Sequence, residues 1–216
     1  MFPDIAAGRS RCQDGEVTQA RPYGGVDAAD RLARRRARLL EAGLELLGSN
    51  LDPAELTVRG ICREAGVATR YFYESFTDTD ELLGAAYDEV AAELGEMLTV
   101  AMAGAAGDDR ARLRAGIRAV LDFSSAVPRR GKILFTEART NPVLAARRTM
   151  AQDHLRELVL SEGRRTAPES DRLATEVGAA MYAGAMAELA QQWLAGTLGA
   201  DLDAVVTHAV RVLLPG

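Results

Sequence analysis

The chain has 216 residues, of which 48% are hydrophobic, and its 26 basic and 31 acidic side chains give a formal charge of −5. This length is enough for one large domain or two small ones, and the net acidity argues against a nucleic-acid coat protein or a basic membrane binder. The acidic excess lies entirely beyond residue 76, because residues 1–26 and 27–76 each hold equal numbers of basic and acidic side chains.

Several functional classes find no support in the sequence. The two cysteines, Cys12 and Cys62, and the two histidines, His154 and His208, do not have metal-ligand spacing. No catalytic triad, Cys/His pair or Gly-rich phosphate loop indicates an enzyme. The longest apolar stretch, residues 177–187, is shorter than the roughly 20 residues of a membrane span, and no secretory signal is recognisable. We expect a cytoplasmic protein that is not an enzyme, needs no metal or cofactor and contacts no membrane.

Helical periodicity begins at Asp27. Residues 1–26 are rich in Gly, Pro, Asp and Arg without an apolar period, which predicts a flexible arm. A leucine stripe then predicts the first helix over residues 28–47. A solvated charged face explains most arginine runs, but five arginines in eight positions with no acidic residue among them favour contact with a polyanion. They are Arg31, Arg34, Arg35, Arg36 and Arg38.

The next two predicted helices are short and lie close together. Residues 57–65 form the second, with Thr57 as N-cap, and residues 68–76 form the third. Gly66 lies between them, where a tight turn often needs positive φ. The third helix contains four of the 11 aromatic residues of the chain: Tyr71, Phe72, Tyr73 and Phe76. We assign the two phenylalanines to the core, and the arrangement is that of a helix-turn-helix.

The rest of the chain predicts six further helices, which makes nine in all and an all-α fold. Asp78, Thr166 and Asp201 are the expected N-caps for three of them, with a capping-box glutamate at Glu81 and at Glu169. The predicted spans are residues 78–102, 108–126, a short helix after Pro128, 142–161, 166–194 and 201–214.

The segment from Leu56 to Leu82 resembles the N-terminal signature of the TetR family of bacterial transcriptional repressors. The matching positions are Thr57, Ile61, Ala65-Gly66-Val67, Tyr73, Phe76 and Glu81-Leu82. The match covers about 50 residues, and the remaining chain is similar to the family in length and helical pattern. The resemblance implies a helix-turn-helix DNA-binding domain over residues 27–78 and an effector-binding and dimerisation domain over residues 79–216.

Two positions depart from the family pattern. Thr79 stands where the family usually has a lysine that touches the DNA backbone, so this contact is reduced to a hydroxyl. Arg70 stands where the family often has a small residue, and it places a long cation in the middle of the recognition helix. An arginine there can make a bidentate contact with guanine.

The expected DNA contacts follow from docking the third helix in the major groove. Thr69, Arg70 and Tyr71 are expected at base edges, and the hydroxyls of Thr57 and Tyr73 at phosphates, which position rather than specify. Partial core packing is the other interpretation of the two tyrosines. The full predicted set is Arg34, Arg35, Arg38, Thr57, Ala68, Thr69, Arg70, Tyr71, Tyr73 and Thr79. Arm residues Arg9, Arg11 and Arg21 could reach an adjacent minor groove, although most such tails are simply disordered.

The resemblance also implies a homodimer through the last two helices, joined as a four-helix bundle that binds a palindromic operator on double-stranded DNA. A small lipophilic effector is expected between the fourth and eighth helices. The candidate pocket residues are Met97, Phe123, Phe135, Met150, His154, Met181 and Tyr182. Ordinary core packing is the competing interpretation for each apolar or aromatic one, and a surface position for His154.

Together these observations predict a ligand-responsive transcriptional regulator, a repressor that its effector releases from DNA. Two alternatives stay open. One is an all-helical small-molecule carrier or enzyme, and the other is a helix-turn-helix protein that has lost DNA binding, for which Thr79 is the best argument.

Overall fold

The computed structural model describes residues 25–48, 56–166 and 172–214. These residues form nine α-helices and a single 3-10 turn, Glu137–Arg139. The helices are α1 (Gly25–Gly48), α2 (Val58–Ala65), α3 (Thr69–Phe72), α4 (Thr79–Gly104), α5 (Asp109–Ala126), α6 (Pro128–Phe135), α7 (Pro142–Thr166), α8 (Arg172–Leu194) and α9 (Leu202–Leu213). The predicted all-α fold is confirmed for this part of the chain, and none of its helices could span a membrane. Arg9, Arg11 and Arg21 of the predicted arm lie outside the described residues.

Three helices begin at the side-chain caps that the sequence predicts. The hydroxyl of Thr57 accepts a hydrogen bond from the Gly60 N–H (3.1 Å), Asp78 accepts one from Glu81 (2.8 Å), and Asp201 accepts one from Ala204 (3.0 Å). Each cap satisfies a backbone donor that has no partner within its own helix. These three predicted N-caps are therefore confirmed.

The turn between α2 and α3 depends on the backbone freedom of glycine. Gly66 has φ 61° and ψ 41°, a left-handed conformation that side chains other than glycine adopt at a cost. Its N–H donates to the Arg63 carbonyl, and the Val67 N–H donates to the Cys62 carbonyl. These two hydrogen bonds end α2, and the chain then turns into α3, as the sequence predicted.

The third helix is shorter than predicted. Only Thr69–Phe72 is α-helical, rather than residues 68–76, and the chain continues as turns to Ser75. The N–H groups of Ser75 and Phe76 both donate to the Phe72 carbonyl at 2.9 Å, which tightens the last turn. Adjacent aromatic residues have modest helix propensity, and both phenylalanines must reach the core. Phe72 and Phe76 are buried, as predicted.

Thr166 does not begin a helix, contrary to the capping-box prediction. It is the last residue of α7, and α8 is described only from Arg172 onward. Glu169, the expected partner in that box, lies outside the described residues. Helix α7 continues through Gly163, since an isolated glycine costs a helix only about 1 kcal/mol relative to alanine.

Helix α1 packs both against the other two helices of the helix-turn-helix and against helices that follow them. It contacts α2 and α3 of the helix-turn-helix, and it also contacts α4 and α6. Behind these, α8 packs on α5, α6 and α7, and α9 packs on α5. The buried side of α1 includes Leu39 and Leu44. At Gly43 the approach to α4 is close, because an added Cβ would lie 2.5 Å from Cδ2 of the fully buried Leu82.

Replacing Gly43 with alanine should therefore destabilise the protein, despite the better helix propensity of alanine. We expect a loss of about 1–3 kcal/mol in the free energy of unfolding, since the added methyl group overpacks the α1–α4 contact. Urea denaturation measures it. The matched control is Gly95→Ala, where the added Cβ meets nothing within 4 Å and should stabilise by up to about 1 kcal/mol. Equal effects of the two substitutions would contradict the close approach.

Candidate nucleic-acid interface and ligand cavity

The short helix α3 presents most of its predicted contact residues to solvent. Ala68, Thr69, Arg70 and Tyr73 are exposed, and Tyr73 is 61% exposed. Tyr73 packs edge-on against the ring of the buried Phe72, with centroids 5.5 Å apart. Phe72 is therefore a buried aromatic anchor for α3. It supports the exposed ring of Tyr73, which carries a polar hydroxyl.

Two guanidinium groups lie close to the ring of Tyr71. Cζ of Arg35 is 3.8 Å from the Tyr71 ring centroid, and Cζ of Arg70 is 4.5 Å from it. Arg70 also donates a hydrogen bond to the Tyr71 hydroxyl at 2.6 Å, while Arg35 pairs with Glu74 at 3.2 Å. Cation–π attraction of this kind contributes about 0.5–1 kcal/mol at exposed sites. Tyr71 therefore orients the predicted base-contacting arginine, a role that its predicted base-edge contact did not include.

Other arginines of α1 hold the helix-turn-helix together. Arg38 donates to the carbonyls of Ala65 and Gly66 at the end of α2. Arg36, which was not among the predicted contacts, lies 4.3 Å from the Phe76 ring centroid and donates to the Ser75 carbonyl at 3.3 Å. The predicted phosphate contacts of Arg35 and Arg38 stay predictions, but both residues already have intramolecular partners. Spacing alone could not show this, because the partners lie 27 to 39 positions away.

Arg34, Thr57 and Thr79 occupy different surroundings. Arg34 is exposed and has no ion-pair partner among the residues described. The Thr57 hydroxyl accepts from α2 and keeps its proton for another acceptor. Thr79 is half-buried at the first position of α4, between two exposed acidic residues, Asp78 and Asp80. Their negative charge disfavours a phosphate at Thr79.

Glu81 makes the entry to α4 rigid. Its carboxylate accepts hydrogen bonds from the Thr77 N–H (2.7 Å) and the Thr77 hydroxyl (2.8 Å). These bonds, the backbone one first, hold the pKa of Glu81 below its usual value. The predicted capping box therefore takes a variant form, in which the glutamate binds the residue before the cap.

A large cavity lies behind the helix-turn-helix, among α4, α5, α6, α7 and α8, with a volume of about 970 Å³. Three of the seven predicted pocket residues line it: Phe135, Met150 and His154. The volume is at the upper end of the range of about 300–1,000 Å³ that is typical of small-molecule sites. The cavity is therefore large enough for a sizeable organic ligand.

The other four predicted pocket residues do not line this cavity. Met97 and Met181 are exposed, Phe123 is in the buried core, and Tyr182 packs beside Gly116 of α5. Helix α8 presents instead a face that includes Ala183, Met186 and Ala187. The rotation of α8, which carries Met181 and Tyr182, could not be predicted from the sequence, because a Gly/Ala-rich helix has little amphipathic pattern.

One end of the cavity is polar. Tyr87 and Asp88 of α4 lie there beside Arg147 and Arg148 of α7, and Arg147 pairs with Asp88 at 2.6 Å. Tyr87 is 3% exposed, and burial raises its pKa to about 12, although Arg148 nearby opposes the shift. None of these four residues was predicted from the sequence. A tyrosine one position before an aspartate on a long helix gives no pattern that distinguishes it from core.

An apolar groove of about 450 Å³ separates α8 from α9. Around it the two helices expose large hydrophobic side chains, including Val177, Met181 (67%) and Val212 (76%). Gly178 and Gly184 on α8 have open space where a Cβ would be. Large exposed apolar side chains beside an apolar groove are typical of an interaction face.

The raised pKa of Tyr87 makes stability depend on alkaline pH. The pKa of an unfolded tyrosine is about 10, so the fold favours the neutral form. The stability that the fold gains from this preference is complete below pH 10 and is lost as the pH rises from 10 to 12. In this window we expect the free energy of unfolding from urea titrations to fall by roughly 1.4 kcal/mol per pH unit.

The control for this measurement is Tyr87→Phe, in which this part of the pH dependence should disappear. Burial also raises the pKa of Tyr182, but both proteins retain that residue, so the difference between their slopes isolates Tyr87. Parallel slopes above pH 10 would mean that Tyr87 titrates normally.

No protein-family model matches the sequence. Similar solved structures include the fatty acid degradation regulator FadR from Bacillus halodurans, at 20% identity and TM-score 0.70, covering 84% of this chain and 95% of that one. FadR from Bacillus subtilis in complex with stearoyl-CoA is 18% identical with TM-score 0.67, covering 82% and 96%.

A TetR-like transcriptional regulator from Rhodococcus sp. RHA1 is likewise similar, at 18% identity and TM-score 0.65, covering 83% of this chain and 93% of that chain. All three likenesses extend over both the helix-turn-helix and the helices behind it, since they cover more than four fifths of the sequence. The chain has the fold of the TetR-like transcriptional regulators.

Proposed function

We propose that the protein is a homodimeric DNA-binding regulator, a repressor that a small lipophilic effector releases from a palindromic operator. The observation that carries the proposal is the exposed polar surface of α3, with Arg70, Thr69 and Tyr73 on a rigid aromatic anchor. A cavity of about 970 Å³ in the same chain supplies a place for the effector. The solved regulator that was crystallised with stearoyl-CoA supports effector binding by this fold.

The proposed DNA contacts divide into base readers and phosphate contacts. Recognition helices contact base edges through their first residues, which here are Thr69 and Arg70, with Ala68 small enough for close approach. The hydroxyls of Thr57 and Tyr73 serve phosphates, and Arg34 adds an exposed cation at the neighbouring α1. The acidic start of α4 leaves most backbone contact to α1 and α2.

The proposed dimer joins α8 and α9 of two copies around a two-fold axis. The exposed apolar side chains of both helices would be buried in a four-helix bundle, and the open glycines of α8 permit close helix contact. Such an axis presents two copies of α3 to two half-sites about one turn of DNA apart. A regulator of this fold needs that spacing to recognise a palindrome.

Selection of bound sequences from a random DNA pool tests the proposal. We expect a palindrome with two half-sites, and an affinity that falls steeply with salt because phosphate contacts release counterions. A small-molecule carrier without DNA binding would retain the cavity and enrich no sequence, and that outcome would overturn the regulator.

Arg70→Ala should abolish discrimination at one base pair in each half-site while leaving the dimer intact. The expected loss at the matching operator is about 1–3 kcal/mol, since a bidentate arginine–guanine pair provides that much discrimination. Binding to the operator and to single-base variants of it is compared for the two proteins. The matched control is Tyr73→Phe, which removes a phosphate-contacting hydroxyl and should weaken all sequences similarly, by about 1 kcal/mol. An unchanged base preference in Arg70→Ala would exclude base reading by this residue.

Met181→Glu should convert the dimer to folded monomers. We expect dimerisation to weaken by roughly 2 kcal/mol or more, because an unpaired carboxylate would be buried in the bundle. Analytical ultracentrifugation measures the equilibrium, and circular dichroism checks that the helices persist. The matched control is Met97→Glu on α4, also at an exposed methionine, which should leave the dimer unchanged. A dimer that tolerates Met181→Glu equally well would place the interface elsewhere.

A further inference from the structure

Arg148 is an unusual charged residue in this fold. It is half-buried at the polar end of the large cavity, and its Nε is buried without a hydrogen-bond partner. The Nε atoms of Arg129 and Arg130 are also buried without a hydrogen-bond partner. Both arginines are nevertheless paired through their terminal nitrogens, Arg129 with Glu41 and Glu45 and Arg130 with Glu93. Within residues 25–48, 56–166 and 172–214, Arg148 makes neither an ion pair nor a hydrogen bond.

Neither of the two acidic residues on the cavity wall pairs with Arg148. One of them, Asp88, is already paired with Arg147, whose guanidinium also packs on Gly84. The other acidic lining residue, Glu96, is exposed and lies eight residues farther along α4, about 12 Å at the helical rise. Tyr87 beside Arg148 is neutral at physiological pH and can donate a hydrogen bond.

The remaining wall is predominantly apolar. It includes Leu94 and Leu98 of α4, Leu134 and Phe135 of α6, and Met186 of α8. The part of α4 that lines the cavity extends from Tyr87 to Val100, about 20 Å at the helical rise. The cavity thus places Arg148, which is unpaired among the described residues, at one end of a long apolar wall.

We propose that Arg148 binds the carboxylate head group of a long-chain amphiphile whose apolar chain lies along α4. This inference deepens the proposed function, on which it rests only in treating the cavity as the effector site. A bound carboxylate gives the guanidinium the charge-assisted hydrogen bonds that the described residues do not provide. A neutral ligand of the same shape would leave Arg148 unpaired, and a cationic one would be repelled.

The cost of an unpaired buried polar group explains why this position indicates a ligand. Leaving a buried polar atom such as Nε of Arg148 without a hydrogen-bond partner destabilises a protein. A structural arginine would have a protein partner, as Arg129 and Arg130 do. Substituting Arg148 with glutamine should therefore leave the melting temperature of the ligand-free protein equal to or higher than that of the wild type.

The test measures ligand binding by calorimetry on the full chain, without DNA. The probes are dodecanoate, dodecanol and dodecanoyl-CoA. We expect dodecanoate to bind at least about tenfold more tightly than dodecanol, and Arg148→Gln to remove that difference without changing the dodecanol affinity. The matched control is Arg156→Gln on the same helix, since Arg156 pairs with Asp153 and does not line the cavity. That variant should bind dodecanoate as the wild type does.

Several results would overturn the inference. They are equal affinity for dodecanoate and dodecanol, no binding of either, full dodecanoate binding by Arg148→Gln, or binding of dodecanoyl-CoA alone. A variant that melts several degrees lower and also loses dodecanol would show that Arg148 is structural. Failure of the proposed function is separate, because a chain that selects no DNA sequence can still bind dodecanoate through Arg148.

Discussion

The packing of α1 against α4 and α6 is the contact on which both halves of the molecule depend. At Gly43 the two helices approach too closely for a side chain on α1, and at Gly48 a Cβ would lie 2.7 Å from Cβ of Arg129. Arg129 also pairs with Glu41 and Glu45 of α1. The front half of the same helix binds α2 and α3 through arginines, so a single helix about 36 Å long connects the helix-turn-helix to the helices that line the cavity.

The walls of the cavity give this connection a functional consequence. Helices α4 and α6 line the cavity and also contact α1. Close-packed contacts do not deform continuously, so a ligand that favours one arrangement of α4 and α6 also favours one position of α1. The proposed response to the effector requires only that the ligand bind the two arrangements with different affinity. Arg148 lies on α7, against the same stretch of α4, where a bound head group would act on that arrangement directly.

Local chemistry made much of the fold predictable. The caps at Thr57, Asp78 and Asp201 and the glycine turn at Gly66 depend on a few neighbouring residues, and all four are as expected. The cavity was harder to predict, because its lining depends on how each helix is rotated in the bundle. For α8 that rotation is set by packing rather than by a hydrophobic stripe, and so Met181 was expected inside and lies outside. Arg148 could not be distinguished from other arginines, since what sets it apart is the lack of a partner among the described residues of the folded chain.

The contact between Arg70 and Tyr71 affects the free energy with which Arg70 would bind a base in the proposed complex, where few cations face the DNA. In the free protein Arg70 rests on the Tyr71 ring and donates to its hydroxyl. To contact a base, Arg70 must give up an interaction of about 0.5–1 kcal/mol. A bidentate contact with guanine contributes about 1–3 kcal/mol, which exceeds that cost. The contact with a poorly matched base contributes less than the cost. Because this cost is the same whatever base Arg70 meets, Tyr71 lowers the affinity of Arg70 for DNA without adding to its preference for guanine. That preference comes from the bidentate contact itself, which suits a chain whose net charge is negative and whose non-specific attraction to DNA is weak.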